Sequence, residues 1–128
     1  MWGVWGLIMK LAISGWRKMS SKEYLHVFQQ AMEDLIVTHN QIPTLVITGG
    51  ARGADALGEA WAKEHNIPLL VLKPEYSKHG DKAPLLRNTD IVKECTHLLA
   101  FPHSSGSGTQ DAIRKAMKLD KIVIVNHL

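Results

Sequence analysis

The stretch TLVITGGARGAD, residues 44–55, decides how the chain is read. Residues 44–48 form a continuous apolar run with no polar alternation, the pattern of a strand buried on both faces. Gly49-Gly50 break the strand, and Gly53-Ala54-Asp55 open a helical pattern. Ala54, Leu57 and Trp61 mark its inner face, and it stops near Asn66. A second apolar run follows at residues 68–72, completing a strand–helix–strand unit.

The same alternation extends to both sides. Residues 11–13 form a short strand ending at Ser14-Gly15. A helix is predicted over residues 20–38, with Tyr24, Phe28, Ala31 and Leu35 on one face and Leu25, Met32 and Ile36 alongside. Ser20 followed by Glu23 fits a capping box at its start. Beyond the central unit come a shorter helix at residues 85–93 and a strand at 97–101. A helix at 111–118, with Ala112, Ile113, Ala116 and Met117 inward, precedes a last strand at 121–125. Five apolar strands alternating with helices predict an α/β fold. It is a single Rossmann-like domain whose five-stranded parallel sheet carries helices on both faces.

At 128 residues the chain is long enough for one domain, placed at residues 10–128. Apolar residues at 45% and charged residues at 21% are ordinary globular composition. Residues 1–9, MWGVWGLIM, read as an apolar extension. They are too short to span a bilayer and lack the basic flank and cleavage site of a secretory signal. With Trp2 and Trp5, the extension is expected to pack on a hydrophobic edge or to build a contact between copies, making a homo-oligomer. The single cysteine, Cys95, can form no internal disulfide and reads as a buried small hydrophobe. Nothing implies an oxidising compartment, so a cytoplasmic location without membrane attachment is expected. The formal charge of +3 is spread among acids without a basic stripe, which argues against a dedicated binder of duplex DNA.

In an open parallel sheet, ligands bind beyond the carboxyl ends of the strands, where strand order reverses. Glycine and small hydroxyl residues gather at three such places. These are Ser14-Gly15-Trp16-Arg17, then Gly49-Gly50-Ala51-Arg52-Gly53 with Asp55, and finally Ser104-Ser105-Gly106-Ser107-Gly108-Thr109. Glycines admit close backbone approach, and amides at a helix start point at an anion. Arg17 and Arg52 add bidentate phosphate contacts. Asp55 either accepts from loop amides or ribose hydroxyls, or only favours the first turn of its helix. The long connection at residues 73–88 offers Tyr76 as a stacking surface, His79-Gly80 as a turn, and Arg87-Asn88 as a second phosphate clamp. Neither the P-loop nor the GxGxxG fingerprint is present, so no cofactor is expected. No HxxxH, HxH or CxxC spacing marks a metal site; His26, His39, His65 and His127 read as surface residues.

The runs VITGGARGADALGEAWAKEHNIP, HGDKAPLLRN and LLAFPHSSGSGTQDAIRKAMK resemble the SLOG superfamily of Rossmann-like domains. The nearest branch is that of small phage and bacterial proteins related to YspA and to the DprA nucleotide-binding core. The resemblance covers residues 10–125 and implies a pocket for a nucleotide or nucleotide-derived ligand. That pocket would be formed by the three loops with Arg87 and Asn88. One branch, the LOG proteins, cleaves the N-glycosidic bond of nucleoside monophosphates through a PGGxGTxxE motif. Here Gly106, Ser107, Gly108 and Thr109 match its core. Its first glycine falls on Ser105, its catalytic glutamate falls on Ala112, and Gln110 and Asp111 lie between.

Alanine cannot transfer protons. The weak substitute, Asp111, is rotated by roughly 100° about the helix. A binding, sensing or sequestering module is therefore expected ahead of a phosphoribohydrolase using Asp111 or Asp55. A DprA-like factor for single-stranded DNA stands third.

Overall fold

The computed structural model describes residues 8–19, 21–104 and 106–128. The expectations placed on residues 1–7, on the Ser20 cap and on Ser105 lie outside that range. Strand β1 is Lys10–Gly15, followed by α1 (Ser21–His39), β2 (Leu45–Thr48), α2 (Ala54–Glu64) and β3 (Leu69–Val71). Then come α3 (Tyr76–His79), a 3₁₀ turn (Gly80–Lys82), α4 (Ala83–Glu94), β4 (His97–Phe101), α5 (Gly108–Lys118) and β5 (Ile122–Val125). All pairings are parallel, in the order β3-β2-β1-β4-β5. Strand order reverses between β1 and β4, which fixes where a ligand crevice can open.

Successive strand residues feed opposite faces, and each face has its own core. Leu11, Ile13, Val46, Leu99 and Phe101 pack with Phe28, Met32 and Leu35 of α1 and with Leu57 and Trp61 of α2. Ala12, Ile47, Leu98 and Ala100 pack on the other face with Ile91 and Val92 of α4 and Ala112 and Ala116 of α5. Cys95 belongs to this second core, where its Sγ donates to the Val92 carbonyl at 3.4 Å and burial pushes its thiol pKa up. Met9, assigned to the extension by sequence, is fully buried in the first core. Its carbonyl accepts from the Thr44 amide at 2.8 Å, tying the start of β1 to the loop before β2.

Three local expectations are corrected. Helix α5 begins at Gly108 rather than 111, because Gly108, Thr109 and Gln110 already carry helical backbone. Met117, expected inward, is 64% exposed; α5 turns Ala112 and Ala116 to the sheet instead. The connection expected to be an open loop at residues 73–88 contains α3 and the 3₁₀ turn, and α4 starts at Ala83 with Pro84 in its first turn. Proline is well placed there, since the first amides of a helix have no intrahelical partner.

Candidate functional site at the strand-order reversal

The loop after β1 turns on Gly15. A Cβ there would lie 2.5 Å from the Ala54 Cβ and 2.9 Å from the Phe101 Cβ, so only glycine lets β1, β4 and the start of α2 meet. The Trp16 amide donates to the Phe101 carbonyl at 3.1 Å, and the Trp16 carbonyl accepts from Met19 at 3.1 Å and from Ala54 at 3.4 Å. The indole of Trp16 stacks on the His103 ring, with centroids 3.8 Å apart and planes 6° from parallel. Tyr24 meets the same indole edge-on at 6.1 Å. The loops after β1 and β4 are thus joined by an aromatic stack.

The loop after β2 is organised by Asp55. Its Oδ2 accepts the Gly49 amide at 2.8 Å and the Ala51 amide at 3.3 Å. Of the roles open to Asp55 from sequence, binding the loop amides is the one observed. Those two amides therefore face a protein carboxylate, not a ligand. Burial raises the Asp55 pKa, against the two amide hydrogen bonds and the charge of Arg87, which lower it. The Gly50 amide turns back to Thr48 Oγ1 at 3.4 Å, and that hydroxyl donates to Glu59 at 2.8 Å.

Arg87 reaches from α4 to this loop. Its Nη1 donates to the Gly49 carbonyl at 2.6 Å and its Nε to the neighbouring Asn88 Oδ1 at 3.1 Å. Burial lowers its pKa, which Asp55 opposes, and a guanidinium keeps its charge through such shifts. Asn88 is buried, and its amide donates to the Gly108 carbonyl at 3.2 Å and to Asp111 at 3.1 Å, joining α4 to the start of α5.

These parts enclose a cavity of about 580 Å³ at the carboxyl edge of the sheet, within the range of small-molecule sites. Of the residues singled out from the sequence, Gly15, Trp16, Arg17, Gly49, Ala51, Asp55, Arg87, Asn88, Gly106, Ser107, Gly108 and Thr109 line it. Gly50, Arg52, Gly53, Tyr76, His79 and Ser104 do not. Arg52 is exposed, and Gly53 is buried where an added Cβ would run into the Trp16 carbonyl. His79 faces a separate, smaller cavity. Ser14, named from sequence at the head of the first loop, also lines the cavity; sequence reasoning missed Lys18 and Asp81 on the polar side, and Ile13, Pro84, Leu85, Ile91 and Ala112 on the apolar side. Pro84, Arg87, Asn88 and Ile91 follow helical spacing, so one projected face of α4 would have supplied them.

Asp111 stands apart. It is buried, paired with Lys115 at 2.9 Å and Arg114 at 3.1 Å, and bonded to Asn88; Ala112, not Asp111, faces the cavity. Burial favours its neutral form, but the hydrogen bonds from Lys115 and Asn88 and the charges of Lys115 and Arg114 outweigh it. Its carboxyl is held below the usual range. A carboxylate fixed in the ionised state by its own helix is a structural anchor and a poor proton donor. Among the described residues, no group of three or more His, Cys, Asp or Glu side chains is placed to hold a metal ion, and no helix is long and apolar enough to cross a membrane.

Two solved structures share this architecture at 16% identity. TM1055, a structural-genomics target, aligns with a TM-score of 0.62 over 90% of this chain and 72% of its own. DNA processing protein A from Helicobacter pylori, studied for its single-stranded DNA binding mode, gives 0.62 over 91% of this chain and 65% of its own. At that identity the likeness concerns the fold alone. A curated relative, the Gene 61 protein of Mycobacterium phage D29, is 35% identical over 80 residues, or 58% of this chain. The match spans 64% of that relative, less than two thirds of its length. The family model described as "YspA, cpYpsA-related SLOG family" matches residues 9–79, more than half of the chain and all of β1 to β3. The chain belongs to the YspA, cpYpsA-related SLOG family.

Proposed function

We propose that the chain binds a phosphate-bearing nucleotide or nucleotide-derived ligand in the cavity between β1 and β4. The observation that carries this reading is the convergence of Arg17, Lys18, Arg87 and the amino end of α5 on one cavity. Three cations and the first amides of a helix favour an anion, and a phosphate answers both. Ile13, Pro84, Leu85, Ile91 and Ala112 form an apolar wall suited to the flat face of a base. Binding is preferred to turnover because Ala112 occupies the position of the catalytic glutamate and Asp111 is bound to Lys115 and Arg114. Single-stranded DNA, the ligand studied with the Helicobacter pylori protein, shares the phosphate chemistry but demands an open groove along a backbone.

The test is thermal unfolding across mononucleotides, dinucleotides and a short oligodeoxynucleotide, with mass spectrometry of the freshly purified protein for a bound nucleotide. Ligand at 100-fold above its dissociation constant adds about 2.7 kcal/mol of stability. A small nucleotide that raises the melting temperature supports the reading. Stabilisation by the oligonucleotide alone transfers it to nucleic acid, and no stabilisation by any of them overturns it.

A further inference from the structure

The sheet ends in two edge strands that differ in how they meet solvent. Strand β3 is three residues long, with Pro68 before it and Lys73 and Pro74 after it. Prolines and lysines so placed keep other strands from adding to an edge. Strand β5 carries no such guard: Ile122–Val125 reads IVIV, without charge, proline or glycine. The Ile122 amide donates to the Thr96 carbonyl at 3.2 Å and the Asn126 amide to the Ala100 carbonyl at 2.8 Å. Backbone groups alternate sides along a strand, so the amides and carbonyls of Val123 and Val125 point away from β4. Met117, Leu119, Ile122 and Val125 are exposed beside them. Gln110, Ile113 and Met117 occupy the side of α5 turned from α4, whereas Asp111 and Lys115 are bonded to Asn88 and to the Leu85 carbonyl on the other side. The free edge is thus flanked by an uncharged strip of helix.

We propose that β5 pairs antiparallel with β5 of a second copy across a two-fold axis, doubling the five-stranded sheet. The strand is its own complement. A two-fold perpendicular to the sheet brings like faces together, so Val123 meets the partner's Val125 and Ile124 meets the partner's Ile124. In this register each Val123 exchanges both of its free hydrogen bonds with the partner's Val125. Moving the axis to Val123 would call on Lys121, whose amide already donates to the Ala116 carbonyl at 3.0 Å. The uncharged strip of α5 meets its own copy without like-charge repulsion. One side in six of a domain with 7849 Å² of accessible surface is about 1,300 Å², above the ~800 Å² that each partner of a standard interface buries. Antiparallel pairing turns the two main cavities to opposite ends of the joined sheet, so neither blocks the other.

Sedimentation equilibrium of the native chain over a hundredfold range of concentration tests the pairing, and a reversible dimer is expected. Val125→Pro removes an outward amide and no bond to β4. A second variant, Met117→Glu with Val125→Lys, alters exposed side chains only. Each should weaken association at least tenfold while keeping the native circular dichroism spectrum. Oxidation reads the register. Opposed Ile124 residues form a non-hydrogen-bonded pair with Cα atoms about 4.5 Å apart, within disulfide reach, so Ile124→Cys should give a covalent dimer. Ile122→Cys should not, because the two copies of that position lie about 13 Å apart along the strands. Cys95 is buried and takes no part. A native chain that stays monomeric, a dimer that survives both edge variants (as one built by residues 1–9 would), or cross-linking at position 122 in place of 124 overturns the inference. The nucleotide reading is untouched by any of these results.

Discussion

Gly53 is where the loops of the site lean on one another, and replacing it with alanine gives a graded, measurable penalty. Its backbone sits at φ 73°, ψ −124°, a region that side chains other than glycine's enter at a cost of about 1–3 kcal/mol. Space is lacking as well. An added Cβ would press on the Trp16 carbonyl oxygen and stand 2.7 Å from both the carbonyl carbon and the oxygen of Arg17. These are backbone atoms, and the Trp16 carbonyl is held by the amides of Met19 and Ala54. Relief therefore requires weakening about two hydrogen bonds, each contributing about 0.5–1.5 kcal/mol net. The sum for Gly53→Ala is about 2–6 kcal/mol, a large part of the stability of a domain this size. In melting temperature it is a fall of about 8–24 °C, at about 4 °C per kcal/mol. Gly108→Ala is the matched control: nothing lies within 4 Å of its added Cβ, and it opens a helix. Urea unfolding followed by far-ultraviolet circular dichroism gives both values under one set of conditions. A Gly53→Ala midpoint indistinguishable from that of Gly108→Ala would refute the described packing of the loops after β1 and β2.

The remaining predictions concern charge. Arg17→Ala should weaken nucleotide binding by about 1–3 kcal/mol, the usual loss for a charge-assisted contact, whereas Arg52→Ala should leave it unchanged. Calorimetric titration decides, and the reverse ranking would move the anion to the outer side of the loop after β2. His97 is buried, and its pKa is lowered by burial and by the nearby His39 ring. Below about pH 6.5 the unfolded chain takes up the proton that the folded chain refuses, so stability falls as pH drops through that value toward the lower native pKa. His97→Gln should flatten this part of the denaturation profile, and an unchanged slope counts against the assignment. Asp111 has the opposite sign: its native pKa is depressed, so its stabilisation is present above the unfolded value and is lost as pH falls through the native one. Asp111→Asn should therefore destabilise the protein at neutral pH, and neither the variant nor the native chain is expected to cleave AMP; steady release of adenine by the native chain, abolished in this variant, would restore the hydrolase.

The sheet was legible because each of its strands is a compact apolar run bounded by turn residues, and parallel strands buried on both faces have no other composition. Three of the loops were legible for a related reason: glycine beside small hydroxyls at a strand end has few other uses. What the sequence withheld was direction. Whether the Gly49 and Ala51 amides are free depends on a carboxylate several residues later, and both readings of Asp55 fit the same letters. Arg52 and Arg87 are equally basic on paper; the turn at Gly53 sends one outward, and the α4 helix aims the other inward. Asp81 escaped notice because its segment reads as an irregular loop, whereas the 3₁₀ turn brings it to the cavity.

The position of β1 sets an order of events during synthesis. It pairs with β2, which follows it closely, and with β4, whose first partner, His97, lies 86 residues beyond Leu11. Closing that long loop is slow compared with forming the β1–α1–β2–α2–β3 portion. As the chain emerges from the ribosome, this amino-terminal portion can therefore assemble while the amino end of α5 is still to come. The crevice is then only half walled: Arg17 and the loop after β2 are in place, and the amides of α5 are absent. On the proposed reading, the anion site is therefore complete only after α5 has formed.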